Sequence, residues 1–317
     1  MKLLVTGGAG FIGSTLAAQL IKEGHEVVVI DNFNQYYDVE LKRARVAALL
    51  PQVTVEEIDI ADIEALRSLC TRHSFDVVCH LAGQAGVRYS IEAPASYIEA
   101  NVLGTQTLFE VMRETGIKRM VFASTSSAYG TTTPAPFKET EAADKPVSVY
   151  AATKRAAEMI AHTYYHQYQI ETTCLRFFTV YGPWSRPDMA MLKFADAIMK
   201  GEPIDVYNEG KLRRDFTYVD DIVRGFIAAV HTPLGYEIIN LGNGKPVELL
   251  NFITQLEEVL GKTTTKRMLP MQPGDVFETY ADTTKAKELL GFTAQTDFKT
   301  GIANFAQWFL EYRAVKG

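Results

Sequence analysis

Two groups of side chains in this sequence are spaced to do chemistry. The first is Gly7-Gly8-Ala9-Gly10-Phe11-Ile12-Gly13, between an apolar run and an amphipathic stretch. Gly7 permits a tight turn, Gly10 lets backbone approach a pyrophosphate, and Gly13 lets a helix pack closely on a sheet, with phosphates held on the free N–H groups of the helix N-terminus. Asp31 follows about twenty residues later, where a carboxylate accepts from an adenine ribose and repels a 2′-phosphate. A glycine-rich turn alone leaves Asp31 unexplained, so the pattern implies a dinucleotide site for NAD rather than NADP. The second group is Tyr150-Ala151-Ala152-Thr153-Lys154. Residues four apart share a helix face, and a nearby ammonium and oxidised nicotinamide would draw a phenol down from its usual ~10 toward neutrality, making it a general base. Between the groups lies Ala123-Ser124-Thr125-Ser126-Ser127-Ala128-Tyr129-Gly130. Its hydroxyls either face a ligand crevice at the carboxyl end of a strand or close a polar turn on themselves.

These groups need a scaffold, and the first half of the chain supplies one. Short β-branched runs at residues 2–6, 26–30, 53–58, 76–81, 119–123 and 172–177 alternate with helical periodicity. That alternation predicts an α/β fold, a Rossmann doubly wound parallel sheet with helices on both faces. After Phe177 the rhythm changes to Pro, Gly, aromatic and Arg residues, with helices expected near 189–200, 220–231 and 249–260. The expected organisation is a dinucleotide-binding domain over 1–177 and a smaller C-terminal α/β portion over 178–317, within which the chain can return to the first domain.

Composition narrows the function classes. The 317 residues are 47% hydrophobic, as in an ordinary globular protein, and 32 Lys+Arg against 38 Asp+Glu give a net charge of −6. A broad basic field for nucleic acid is missing. Three cysteines, Cys70, Cys79 and Cys174, offer neither an even disulfide framework nor a CxxC pair. Met1-Lys2-Leu3-Leu4-Val5 begins like a signal peptide but is interrupted by Thr6-Gly7-Gly8, and no apolar run reaches the ~18 residues of a membrane span. A cytoplasmic protein with no membrane partner is expected.

Taken together, Gly7-x-x-Gly10-x-x-Gly13, Asp59, Leu81-Ala82-Gly83, Asn101, the Ser/Thr cluster and Tyr150-x-x-x-Lys154 resemble an extended short-chain dehydrogenase/reductase of the nucleotide-sugar epimerase and dehydratase type. The resemblance runs through nearly the whole chain. It implies NAD as cofactor, Tyr150 as base, Lys154 as the residue holding the nicotinamide ribose, and Thr125 as the hydroxyl on the reacting sugar oxygen. It completes the cofactor set with Phe11, Ile12, Asn32, Asp59, Ile60, Leu81, Ala82, Gly83 and Asn101. Relatives that eliminate water carry Asp-Glu after the Thr, and decarboxylating relatives Ser-Glu. Here the two residues are Ser126 and Ser127, which favours simple epimerisation.

Phe177-Phe178-Thr179-Val180-Tyr181-Gly182-Pro183-Trp184-Ser185-Arg186-Pro187-Asp188 is similar to the same stretch in members that epimerise UDP-glucuronate at C4, with Ser185 standing where Gly is usual. The resemblance therefore implies a UDP-sugar substrate. Arg186 is the residue to grip a carboxylate in a bidentate fork, with a structural ion pair as its alternative role. Lys211-Leu212-Arg213-Arg214-Asp215 and Gln272-Pro273-Gly274-Asp275 resemble UDP-binding segments, with Arg214 for the diphosphate and Asp275 for uridine; a solvated charge run is the other reading of 211–214. Arg88, Ser126, Ser127 and Thr179 complete the implied substrate set. UDP-glucose or UDP-N-acetylhexosamine epimerisation, decarboxylation, and a dinucleotide-sensing regulator remain the alternatives. The resemblance also implies a homodimer, in which the helices near Asn101 and Tyr150 pair across a two-fold axis through apolar positions such as Val102, Leu108, Val111, Met112, Ala157, Ile160 and Ala161.

No metal is expected. His162 and His166 stand one turn apart with no Glu after the first and no evident third ligand. Cys79 reads as a small buried hydrophobe, and Tyr164-Tyr165 and Trp308-Phe309 as core or interface aromatics.

Overall fold

The computed structural model describes residues 1–271 and 276–316. Its centre is a seven-stranded sheet. The first six strands in chain order are β1 (Lys2–Thr6), β2 (Glu26–Asp31), β3 (Val55–Glu57), β4 (Val77–His80), β5 (Arg119–Thr125) and β6 (Glu171–Phe177). All the pairings are parallel. β1 is apolar on both faces, with Leu3, Leu4 and Val5 fully buried, because helices cover both sides of a parallel sheet. The chain runs outward from β1 through β2 to β3, then returns to lay β4 on the other side of β1 and continues to β5 and β6. The direction of winding thus reverses between β1 and β4, where the loops at the carboxyl ends diverge and open a crevice.

Each early strand feeds a helix: α1 (Phe11–Lys22), α2 (Val39–Leu49) and α3 (Ile63–Arg72). The helices α2 and α3 start at Asp38 and Asp62, whose carboxylates accept from first-turn N–H groups. The helix Gly104–Thr115 precedes β5, and the long helix Val149–Tyr168 precedes β6.

The seventh strand, Tyr236–Leu241, was not among the six expected from the sequence. It pairs with β6, Tyr236 opposite Thr172 through Leu241 opposite Phe177. The helix Val219–His231 returns the chain to the sheet edge, burying Ile222, Phe226 and Val230. Outside the central sheet, Arg213–Tyr218 pairs with Thr179–Tyr181, Pro246–Glu248 and Glu278–Thr279 in a four-stranded sheet. One continuous apolar cluster joins Leu3, Val5 and Phe177 of the sheet to Phe216, Phe252 and Trp308, so the boundary expected at residue 177 falls within a shared core.

Candidate active site

The crevice over the carboxyl ends of the strands is lined by Gly7, Gly10, Phe11, Ile12, Gly13, Asp31, Asn32, Asp59, Ile60, Leu81, Ala82, Gly83, Tyr150, Lys154 and Arg186. Fourteen of these were in the expected cofactor set, and they arrive from four strand ends and two helices. Gly7 has φ +69°, and a Cβ there would lie 2.6 Å from the Ala82 nitrogen. A Cβ on Gly13 would lie 2.2 Å from the Gly7 carbonyl oxygen. Only glycine lets the turn, the neighbouring loop and α1 come this close. At the N-terminus of α1, Gly10 provides no side-chain cap and the first turn has no acidic residue, a terminus suited to a pyrophosphate.

Asp31 is buried at the end of β2. It accepts from the backbone N–H groups of Ala9 at 3.1 Å and Phe33 at 2.8 Å, and the buried Lys42 ammonium lies 3.7 Å away. Its carboxylate therefore also ties the glycine loop to the next segment. Asn32 donates to Asp59 at 2.8 Å, which links the ends of β2 and β3. Asn101 does not line the cleft. It accepts from Gln84 N–H at 2.8 Å and donates to Gln84 C=O at 3.0 Å and Thr153 Oγ1 at 3.0 Å, so its amide holds the Gly83-Gln84 loop against the Tyr150 helix.

Tyr150 and Lys154 sit one turn apart at the start of Val149–Tyr168, whose N-cap Ser148 accepts from Ala151 N–H. The Thr125 hydroxyl stands near enough to the Tyr150 phenol to favour its ionised form, bringing together two of the three expected catalytic residues. The third, Lys154, packs its ammonium 4.1 Å from the centroid of the Phe122 ring.

The protein's own electrostatics differ from the sequence expectation. Burial pushes the Tyr150 phenol up, and the Thr125 hydroxyl and the Arg186 charge oppose this. Burial also pushes the Lys154 ammonium down to about 7, with Glu158 opposing. Desolvation, invisible in a Tyr-x-x-x-Lys spacing, is the largest influence on both groups.

Glu158 completes the face two turns beyond Tyr150. Its fully buried carboxylate accepts from Arg176 Nε at 2.8 Å and Nη2 at 2.7 Å, from Ser124 Oγ at 2.6 Å and from Arg155 Nη1 at 3.0 Å. Sequence reasoning overlooked it, although the spacing 150, 154, 158 is itself the helical signal. Arg45 of α2 was also missed. It is fully buried and donates to the carbonyls of Ala9, Trp184 and Ser185 and to the Tyr37 hydroxyl. It thereby bolts the glycine loop to the segment that carries Arg186, and no local pattern marks such a residue.

Arg186 reaches the cleft, but in an ion pair with Asp188: Nε donates to Oδ1 and Nη2 to Oδ2, both at 2.9 Å. The remaining expected substrate residues lie outside the cleft lining. Ser126 and Ser127 form the short turn after β5, where Ser127 N–H donates to Thr125 Oγ1 at 3.2 Å. Thr179 begins its own strand, and Arg88 is exposed before the helix Tyr89–Glu92. Arg214 donates to the carbonyls of Arg213 and Phe277. Asp275 lies outside the described residues.

Residues 3–242 match the family described as NAD dependent epimerase/dehydratase. A UDP-glucuronate 4-epimerase of Thermodesulfobacterium geofontis is 43% identical over 311 residues, covering 97% of this chain and 96% of the relative. The crystal structure of a UDP-glucuronic acid 4-epimerase from Bacillus cereus, in complex with UDP-glucuronic acid and NAD, superposes with a TM-score of 0.91 at 34% identity, over 98% of this chain and all of the other. A UDP-glucose 4-epimerase from Thermotoga maritima, solved with UDP-glucose, also gives 0.91, at 32% identity over 99% of this chain and 100% of its own.

Proposed function

We propose, from the premise that the chain belongs to the NAD dependent epimerase/dehydratase family, that it inverts C4 of UDP-glucuronate to give UDP-galacturonate. The observation that carries this reading is one cleft holding the glycine cradle, the Tyr150 phenol and the Arg186 guanidinium, with the Thr125 hydroxyl near Tyr150. The cradle fits NAD: Gly10 opens the α1 N-terminus to the pyrophosphate, Gly13 packs that helix against the Gly7 turn, and Asp31 and Asn32 stand at the end of β2 for the ribose. NAD held there would supply a hydride acceptor for C4 and the donor for its return, and a positive charge that would favour the phenolate.

Tyr150 accepts the proton from the sugar O4 and later gives it back, while the Thr125 hydroxyl holds that oxygen in line. Lys154 orients the ribose and adds charge beside the phenol. The 4-keto intermediate must turn over before it is reduced, and UDP anchors it while the pyranose rotates, so binding energy from the remote nucleotide retains a reactive species. Arg88 and Arg214 are assigned to that anchor, and Ser126, Ser127 and Thr179 to the sugar. Arg186 supplies the fork that a uronate carboxylate requires and a neutral hexose does not.

A second reading, epimerisation of UDP-glucose, is favoured by the Asp188 carboxylate already paired with Arg186. Incubating the purified protein with UDP-glucuronate and, separately, with UDP-glucose, and identifying the sugars by NMR, tests both. Inversion of the uronate alone supports the proposal, and inversion of the neutral sugar alone overturns it.

We assign residues 1–177 to the cofactor and 178–317 to the sugar nucleotide, with Tyr236–Leu241 lent back to the first part. The cytoplasm is the assigned compartment, in keeping with free, buried Cys70, Cys79 and Cys174. The assembly we assign is a homodimer. Leu108, Val111, Met112, Ala157 and Ala161 are buried within the subunit, so five of the seven expected contact residues serve its own core, while Val102 and Ile160 are half-buried. Support comes instead from Ile98, Leu103 and Met159, which are 52%, 50% and 58% exposed on the neighbouring helical segments. A monomer by light scattering at micromolar concentration would overturn it.

A further inference from the structure

Arg186 is aimed by groups that lie behind it. Asp188 takes the Nε–Nη2 edge of the guanidinium in a two-bond fork, and the Tyr36 hydroxyl donates to Asp188 Oδ2 at 3.1 Å. Tyr36 is itself confined: its ring packs 4.8 Å from that of Tyr89 and 5.9 Å from that of Tyr37. A Cβ on Gly86 would lie 2.1 Å from the Tyr36 hydroxyl, so only glycine leaves room for it there. Below the fork, Arg45 holds the Trp184 and Ser185 carbonyls. Burial alone would raise the Asp188 carboxyl, yet the Arg186 guanidinium and the Tyr36 hydroxyl hold it below its ordinary value, so Asp188 is a carboxylate at neutral pH.

A guanidinium presents two edges to oxyanions. With the Nε–Nη2 edge committed to Asp188, the plane of the group is set and the Nη1–Nη2 edge is the one left for a second carboxylate. Orientation matters for a uronate because oxidation at C4 makes a β-keto acid. When its C5–C6 bond stands perpendicular to the carbonyl plane, that bond breaks and CO₂ leaves. The electron pair passes into the C4 carbonyl as an enolate, and C5 then takes a proton from water to give a 4-keto pentose. A carboxylate held with that bond near the plane resists this loss.

We propose that Asp188, locked by Tyr36, is a positioning residue that fixes the plane of Arg186 and so holds the substrate carboxylate away from the geometry of decarboxylation. The proposal rests on the uronate reading above and deepens it.

The test compares Asp188→Asn and Tyr36→Phe with the parent, using the enzyme with its cofactor. It reads kcat and KM for UDP-glucuronate, the pentose-to-epimer ratio by mass spectrometry, and UDP affinity by calorimetry. Asp188→Asn keeps the shape but replaces one charge-assisted acceptor with a donor. The expected result is a kcat about 10-fold lower and a pentose fraction about 5-fold higher, with UDP affinity within about twofold, since a misaimed group costs orientation rather than nucleotide binding. Tyr36→Phe moves both readouts the same way by about threefold, and it carries the test if Asp188→Asn does not fold. A lower KM with unchanged kcat and product ratio would show Asp188 competing with the substrate for Arg186, and overturns the proposal. Unchanged ratios in both variants of an enzyme that does epimerise the uronate overturn the positioning role alone. A parent that acts only on neutral UDP-sugars overturns the substrate reading, and this proposal with it.

Discussion

Replacing Glu158 by Gln leaves every atom but one in place and removes the only carboxylate paired with Arg176 among the described residues. The Arg176 side chain is 1% exposed and that of Glu158 is 0% exposed. Arg176 Nη1 has no hydrogen-bond partner, so the guanidinium has no reserve acceptor. Three of the four bonds to Glu158 come from cations, two from Arg176 and one from Arg155. A bond to a charged partner contributes about 1.5–3 kcal/mol against about 0.5–1.5 for a neutral one, so losing the charge costs about 1 kcal/mol per cationic contact. The stranded guanidinium adds to this, and the total falls in the ~3–5 kcal/mol range for breaking a buried pair. Urea unfolding of the holoenzyme reads this as a lower midpoint at unchanged slope. Glu158→Gln/Arg176→Met removes both charges, so the double variant should recover at least about 2 kcal/mol of the loss. There is also a catalytic consequence. Glu158 opposes the burial that pushes Lys154 down to about 7, so the single variant should lose activity at a lower pH on the alkaline side. A single variant within about 1 kcal/mol of the parent, or a double variant no more stable than the single, refutes the reasoning.

Tyr150→Phe removes the proton acceptor with little change in volume, so kcat should fall by ~10²–10⁴ while UDP affinity is kept; turnover within about threefold of the parent would assign the base elsewhere. NAD should co-purify, and epimerisation should need no added NAD; net NADH accumulating in proportion to product would contradict a cofactor that is restored each cycle. His80 is fully buried, with Nδ1 2.8 Å from Thr6 Oγ1 and Nε2 3.0 Å from Thr105 Oγ1, and burial, reinforced by Lys154, pushes it down to about 3. Its folded value lies below its unfolded one, so its stabilisation is complete above about pH 6.5 and is lost as pH falls toward 3, at about 1.4 kcal/mol per pH unit. Between pH 7 and 5.5 the parent should therefore lose about 1 kcal/mol more than His80→Gln, measured by urea unfolding at each pH; parallel slopes would mean that His80 does not govern this range.

Much of the cofactor half was legible in the sequence because its rules are local. Glycine spacing sets what a turn can do, a four-residue interval puts Tyr150 and Lys154 on one helix face, and apolar strands alternating with amphipathic helices leave few arrangements besides a parallel sheet. Six strand positions and the placing of Gly7, Gly10, Gly13, Asp31, Tyr150 and Lys154 follow from such short-range constraints, the rest of the expected cofactor set from the family resemblance, and they converge because the carboxyl ends of parallel strands share one edge. What the tertiary structure alone decided depends on distance through space. Tyr236–Leu241 is apolar like many segments, and it becomes the seventh strand only because the helix Val219–His231 carries it back to β6. Leu108 and Ala157 share an apolar pattern with Met159, and only packing separates those that fill the core from the one left exposed. Tyr36 became the partner of Asp188, and Arg45 the bolt beneath Arg186, through chain reversals that no residue interval records. The direction of the Tyr150 and Lys154 shifts was decided in the same way, because desolvation is summed over every atom that shields a group from water, and the neighbours in sequence supply only a few of them.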